Sequence, residues 1–438
     1  MRRPSLVLCA LTLAAALLVP GTGAAADART VVPGDQPLPG YTVDNPPLPP
    51  ALVDGRPARV LQGVHEHAAY VIEVPPRWNG GLAMWAHGFR GATRVLSVDP
   101  PGYGLRQRLL DQGYAWAASS YYANDYDVRA GVVSTRALAG HFARVVGKPK
   151  RTFIAGVSMG GHITARSIEQ YPGFYDAAMP MCGVLGDHEL FDFFLDFHLV
   201  AQDLADVPAY PFPADYATSA VPKMLERLDP GSAVGAQFRD IVINQGGGER
   251  PGADAAFAYW KDFLFGLAGP DEGGSLAQQP GRVGTNVGTR YAPSSPVNVN
   301  ATVRRVAPED PVARFTRGLT AVASVSGRID VPVLSLHDLG DNFVPFSMEQ
   351  HYFKDVARHG RTKHLVQRAI RAVGHCEFSD AEAGAAWDDL VRWQRGGPRP
   401  AGDDVVTRSV VADPRYGCRF TDPSAYSTGT RPLFPACP

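Results

Sequence analysis

"RTFIAGVSMGGH", residues 151–162, is the stretch whose reading decides the fold. Arg151 to Val157 reads as a short buried strand. "GGHITARSIEQY", beginning at Gly160, reads as a helix with Ile163 and Ile168 facing inward. Ser158 stands at the join. So sharp a turn forces the serine into a strained backbone conformation. A side chain at Gly156 or Gly160 would strike the neighbouring strand or helix. The glycines therefore permit the turn, and the turn lifts the serine hydroxyl clear of the sheet. This is the pattern G-x-S-x-G, a nucleophile elbow. The helix start adds free amides and a positive dipole end where an oxyanion would form.

An elbow needs a base and an acid, in the chain order serine, acid, histidine. "VPVLSLHDLGDNFVP", residues 331–345, reads as a second buried strand ending in an acidic loop. "LVQRAIRAVGHCEF", residues 365–378, is a strand-like run leading to His375. A helix-like segment, "SMEQHYFKDVARHG", separates them, as parallel strands require.

These segments resemble the α/β-hydrolase superfamily, and within it secreted bacterial serine esterases and lipases. The residues that carry the resemblance are "MWAHGF" (84–89), "GVSMGG" (156–161), "GDNFVP" (340–345) and "GHC" (374–376). They anchor residues from about 60 to 185 and from about 328 to 395. The resemblance implies an α/β fold with a mostly parallel central sheet covered by helices. A large cap insertion would lie between the sixth strand and the acid-bearing strand. It implies Ser158 as nucleophile, His375 as general base and Asp341 as the acid that orients the imidazole. Asp338 is the rival acid, but the pattern D-x-x-V-P selects Asp341. His359 and His364 fit the base position less well. The Phe89 and Met159 amides would form the oxyanion hole, each such donor being worth about 3–4 kcal/mol in the transition state. His87 reads as a structural hydrogen bonder.

The chain has 438 residues and a formal charge of −1. Residues 1–26 read as a signal peptide: Arg2 and Arg3, an apolar stretch from Leu6 to Val19, then Ala24-Ala25-Ala26. Removing Arg2 and Arg3 takes the charge from −1 to −3, and no long basic run is present. Nucleic acid is not an expected partner. The Leu6–Val19 stretch is too short to span a membrane comfortably, and no later segment reads as long and apolar enough to do so. The expected location is secreted, outside the cell.

Export leaves Cys182, Cys376, Cys418 and Cys437, an even number with three pairings. Spacing favours Cys418 with Cys437, closing a tail loop worth roughly 3 kcal/mol, and leaves Cys182 with Cys376. Two free buried thiols are the competing reading. Feruloyl esterases and tannases brace their triad with a disulfide whose cysteines flank the serine and the histidine. Cys376 follows His375 in that manner, but Val157 departs from the pattern. Cys182, just past the next strand, is the partner this resemblance suggests.

Metal ligands are not expected. His65-Glu66-His67 puts two histidines on one strand face, with no third ligand at a telling spacing. Phosphate-loop and dinucleotide spacings are absent too, and no cofactor is expected.

The domain reading is residues 27–185 and 326–398 as the core, 186–325 as a cap, and 399–438 as a disulfide-stapled surface tail. In the cap, "ELFDFFLDFHLVAQDL" is apolar almost all round, with Asp192 and Asp196 sharing a polar edge. "AAFAYWKDFLFGLAG" carries Phe257, Tyr259, Trp260, Phe263 and Phe265. These helices either pack the cap onto the core or line an apolar pocket. The stretch from Gly269 to about Asn300 reads as a long surface loop. The function expected is hydrolysis of a carboxylic ester, small or polymeric. The rivals are an extracellular polyester depolymerase, a serine peptidase of the same fold and a non-catalytic binding module. Oligomeric state is not legible.

Overall fold

The computed structural model describes residues 33–269, 275–276 and 278–437. The reading of residues 1–26 as a signal peptide lies outside them. Eight strands form one sheet: β1 (Arg59–His65), β2 (Ala68–Val74), β3 (Gly81–Ala86), β4 (Ala115–Ser119), β5 (Arg151–Val157), β6 (Ala177–Met181), β7 (Val333–Asp338) and β8 (Leu365–Ile370). Their spatial order is β1-β2-β4-β3-β5-β6-β7-β8. β2 runs antiparallel to both of its neighbours, and every other pairing is parallel. This is the α/β-hydrolase fold, as the resemblance implies.

Parallel strands must be covered on both faces, and their sequences become apolar throughout. β5 shows how. Phe153 and Ala155 point into one core with Leu109 and Trp387. Ile154 points the other way, into a core with Leu138, Phe142 and Val356. The first face is covered by α1 (Leu105–Asp111) and α8 (Asp380–Gln394). The second is covered by α2 (Val128–Val145), α3 (Met159–Gln170) and α7 (Ser347–Arg358). Helix ends follow local chemistry. Asp127 caps α2 by accepting from the Ala130 amide, and Ser379 with Glu382 forms a capping box on α8.

Between β6 and β7 the chain builds a helical insertion. Its main helices are α4 (Glu189–Leu204), α5 (Ala233–Gln245) and α6 (Ala253–Leu267). α4 is buried at nearly every position. Phe197 holds its centre, with ring centroids 5.1 Å from Phe238 and 4.8 Å from Phe265.

Two expectations need correction here. The Gly/Pro/Ser/Asn-rich stretch, of which residues 270–274 and 277 lie outside the described residues, is not wholly a surface loop: Val283, Asn286 and Tyr291 are buried, while residues 292 and 294–296 are exposed. A helix that is apolar all round needs cover on every side, and this stretch supplies it over the polar edge of α4. Asp192 accepts from the Thr285 amide at 2.7 Å and pairs with Arg314 at 2.7 Å. Asp196 accepts from the Tyr291 hydroxyl at 2.5 Å. Burial raises the Asp192 carboxyl to about 6, even with Arg314 beside it.

The C-terminal tail is not a surface appendage either. Val405, Val411, Arg431 and Phe434 are buried. Its few apolar side chains and one buried arginine anchor it to the core, although it has little regular structure. Among the described residues no helix is long and apolar enough to cross a membrane.

Candidate active site

The elbow is set by steric exclusion. Ser158 has φ 57° and ψ −123°, a conformation that costs on the order of 1–3 kcal/mol. A Cβ at Gly160 would lie 2.0 Å from the Ala86 carbonyl oxygen. One at Gly156 would lie 2.4 Å from the Gly160 oxygen. Only hydrogen at both positions lets β3, β5 and α3 approach this closely. The Ser158 amide donates to Met181 O at 3.0 Å, tying the turn to the end of β6.

His375 follows β8 in a loop, and its Nε2 lies 2.9 Å from Ser158 Oγ. Its Nδ1 lies 2.6 Å from Asp341 Oδ2. A proton on Nδ1 shared with that carboxylate leaves Nε2 free to accept from the serine hydroxyl. Asp341 is fully buried, and its Oδ1 accepts from the Phe343 and Val344 amides at 2.9 Å each. Asp338 does something else. Its Oδ2 accepts from the Glu377 amide at 2.6 Å, and its buried Oδ1 has no partner among the described residues. Burial pushes its carboxyl well above the usual range, and the nearby Asp341 charge adds to the effect.

Phe89 and Met159 flank the serine. Met159 opens α3, where amides have no intrahelical partner. The loop bearing Phe89 passes so close that a Cβ at Gly88 would lie 3.1 Å from the Ser158 Cβ. Among the described residues neither amide donates a hydrogen bond. Just behind, His87 stacks on Tyr121 with centroids 4.0 Å apart. Burial drops His87 to about 3, so it stays neutral.

Cys182 and Cys376 form a disulfide with Cα atoms 5.3 Å apart, and Cys418 and Cys437 form a second at 5.8 Å. Cys182 and Cys376 sit at φ 44° and 56°, so the serine and both bracing cysteines share a left-handed φ. Cys182, His375 and Cys376 are grouped closely enough to suggest metal ligands. The disulfide spends both thiols, which removes that use. The histidine pair near residue 65 is corrected as well. His65 ends β1 and stacks on His141 at 4.4 Å, whereas Glu66 and His67 form the turn to β2 with positive φ. Turn geometry breaks the shared strand face.

Several supports are not legible in the sequence. Trp260 Nε1 on α6 reaches the carbonyls of Gly340 (3.0 Å) and Val373 (2.7 Å), joining the acid and histidine loops. Arg250 donates to Leu339 O at 2.6 Å. Burial lowers its guanidinium to about 10, which leaves it cationic near neutral pH. The Tyr103 hydroxyl donates to Cys376 O at 2.9 Å. Phe343 lies edge-on to His375, with centroids 5.1 Å apart, and packs against Phe194, Trp260 and Phe263. An aromatic run in α6 gave a hint of this wall, but nothing local marked Arg250 or Tyr103.

No family model matches the chain. Over 100 residues it is 31% identical to an o-phthalyl amidase from Xanthobacter agilis, a stretch covering 22% of each protein. The match thus spans about a fifth of the amidase. The rice cell wall degrading esterase LipA from Xanthomonas oryzae, as a G231F mutant, is similar over 79% of this chain and 89% of its own, with TM-score 0.38 and 14% identity. An acylaminoacyl peptidase bound to a chloromethyl ketone is similar over 80% of this chain, with TM-score 0.39 and 12% identity. The chain covers 43% of that peptidase.

Proposed function

We propose that the protein is a serine hydrolase, exported from the cell, that cleaves carboxylic esters through an acyl-enzyme on Ser158. One observation carries the reading: a serine, a histidine and a buried aspartate in series, at 2.9 and 2.6 Å. A free serine is too weak an acid to attack a carbonyl unaided. His375 Nε2 takes the Ser158 proton as the hydroxyl adds to the ester carbonyl carbon. Asp341 holds the tautomer and stabilises the imidazolium that forms. The carbonyl oxygen becomes an oxyanion facing the Phe89 and Met159 amides. Collapse expels the alcohol, which takes the proton from His375. Water, activated by the same ring, then releases the acid. No metal or cofactor is needed for any step.

Phe343 and Phe263 form an apolar wall beside the base, and Phe263 is 45% exposed there. An apolar acyl or alcohol group would lie against it. The two disulfides suit an oxidising compartment. Amide cleavage is the second reading, favoured by the local identity with an amidase.

A panel of nitrophenyl esters, aminoacyl anilides and polyester film separates these readings, with Ser158→Ala as control. Ester turnover that vanishes in Ser158→Ala supports the proposal. Cleavage of anilides without esters replaces it by the amide reading. Turnover that survives in Ser158→Ala removes it.

A further inference from the structure

The hydrolase reading leaves the C-terminal tail, residues 399–438, without a role. Part of that tail converges on the loop that carries His375, and the contacts run in both directions. From the loop, the Arg371 amide donates to Thr421 Oγ1 at 2.8 Å. The buried Arg371 guanidinium donates to the carbonyls of Tyr416 (2.9 Å), Pro435 (2.8 Å) and Pro414. From the tail, Thr430 Oγ1 accepts from the amides of Val373 (3.1 Å) and Gly374 (2.7 Å), immediately before His375. Its hydroxyl proton goes to the Glu377 carboxylate, just after His375, and its own amide donates there at 2.9 Å. Arg431 completes the grip. It donates to Glu377 O at 2.7 Å and pairs with the buried Glu382 at 2.9 and 2.7 Å.

Two glycines make room for this approach. A Cβ at Gly374 would lie 2.3 Å from Glu377 Oε2, and one at Gly429 would lie 2.2 Å from Glu377 Oε1. Thr430 lies inside the loop closed by Cys418 and Cys437.

We propose that the tail is a clamp that sets the position of the catalytic histidine, with Thr430 as its positioning residue. The proposal rests on reading Ser158 and His375 as nucleophile and base. One hydroxyl bonds both sides of His375, so its loss removes the partner of two loop amides and of one Glu377 carboxylate oxygen together, while the Thr430 amide still donates to the other oxygen. The ring is then held less closely at the 2.9 Å distance from Ser158, and misplacement on the order of 1 Å costs about 100-fold in rate.

Thr430→Val keeps the shape and removes the hydroxyl, and Thr430→Ser keeps the hydroxyl. Nitrophenyl ester kinetics and the rate of labelling by a fluorophosphonate are measured for both, with thermal unfolding alongside. Thr430→Val is expected to lose about 10- to 100-fold in kcat, with KM changed less than about twofold, and to label more slowly. Thr430→Ser is expected to return to within about threefold of the parent. The Cys418→Ser/Cys437→Ser double variant, which leaves Thr430 in place, is expected to lose kcat in the same direction. Equal labelling of parent and Thr430→Val, or a lower melting temperature at unchanged kcat, overturns the clamp alone. A parent protein that neither labels nor hydrolyses overturns the hydrolase reading itself, and the clamp with it.

Discussion

The serine and the histidine reach the same point by opposite means. Ser158 is held by its own neighbourhood: β5 before it, α3 after it, and two glycines within two residues on either side. His375 is held by pieces of chain far away in sequence. Cys182 bonds the next residue, Trp260 and Thr430 bind the loop backbone before the ring, and Tyr103 binds it after the ring. A tight turn is encoded by the few residues that make it. A loop beyond a strand end has no such local device and must borrow rigidity from elsewhere. The half built locally should fail abruptly when its glycines change. The half built from afar should weaken by steps.

The largest effect expected is from Ser158→Ala, a loss of about 10⁶-fold in kcat, read by ester hydrolysis. His375→Ala should match it. Asp341→Asn should lose about 10⁴-fold. Asp338→Asn should stay within about threefold, because Asp338 serves the Glu377 amide and not the ring. A collapse of activity in Asp338→Asn with Asp341→Asn still active would reverse their roles.

Gly160→Ala tests the local half. The added Cβ meets backbone at 2.0 Å, and no side-chain motion relieves a backbone clash. Insoluble or inactive protein is expected, with destabilisation of at least about 1–3 kcal/mol. A folded, active Gly160→Ala protein would show that the elbow is softer than its geometry.

The paired change Cys182→Ser/Cys376→Ser tests the distant half. It should lower stability by about 2–4 kcal/mol, measured by denaturant unfolding, and reduce kcat without abolishing it. Total loss of activity in a folded double variant would mean that one disulfide alone holds the base.

Smallest of all is a pH effect on stability. The folded state raises the Asp338 pKa, so it binds that proton more tightly than the unfolded chain does. The stabilisation is fully present below the unfolded value of about 4 and fades as pH rises through the raised one. Asp338→Asn should therefore flatten the fall in stability on the alkaline side. An identical pH–stability curve for both proteins would place the titration elsewhere.

The contrast also explains what the sequence could disclose. The sheet was legible because seven of its eight strands are largely buried runs, and the edge strand β1 is half-buried. α4 was legible as a greasy helix with two aspartates, but not the partners of those aspartates. The segment covering them is rich in Gly, Pro, Ser and Asn, which imitates a surface loop. Its burial depends on Asn286 bonding backbone at Arg304 and Val306, a long-range match with no periodicity. Thr430 was hidden for the same reason. It is an ordinary threonine in an irregular tail, and only the folded chain brings it to Gly374.

The central claim is that Ser158 is a nucleophile activated by His375. Labelling with a fluorophosphonate, followed by intact mass and peptide mapping, tests it most directly. One adduct on Ser158 is predicted, abolished in Ser158→Ala and strongly slowed in His375→Ala. An adduct on another residue, or equal labelling rates with and without the His375 ring, would contradict the account.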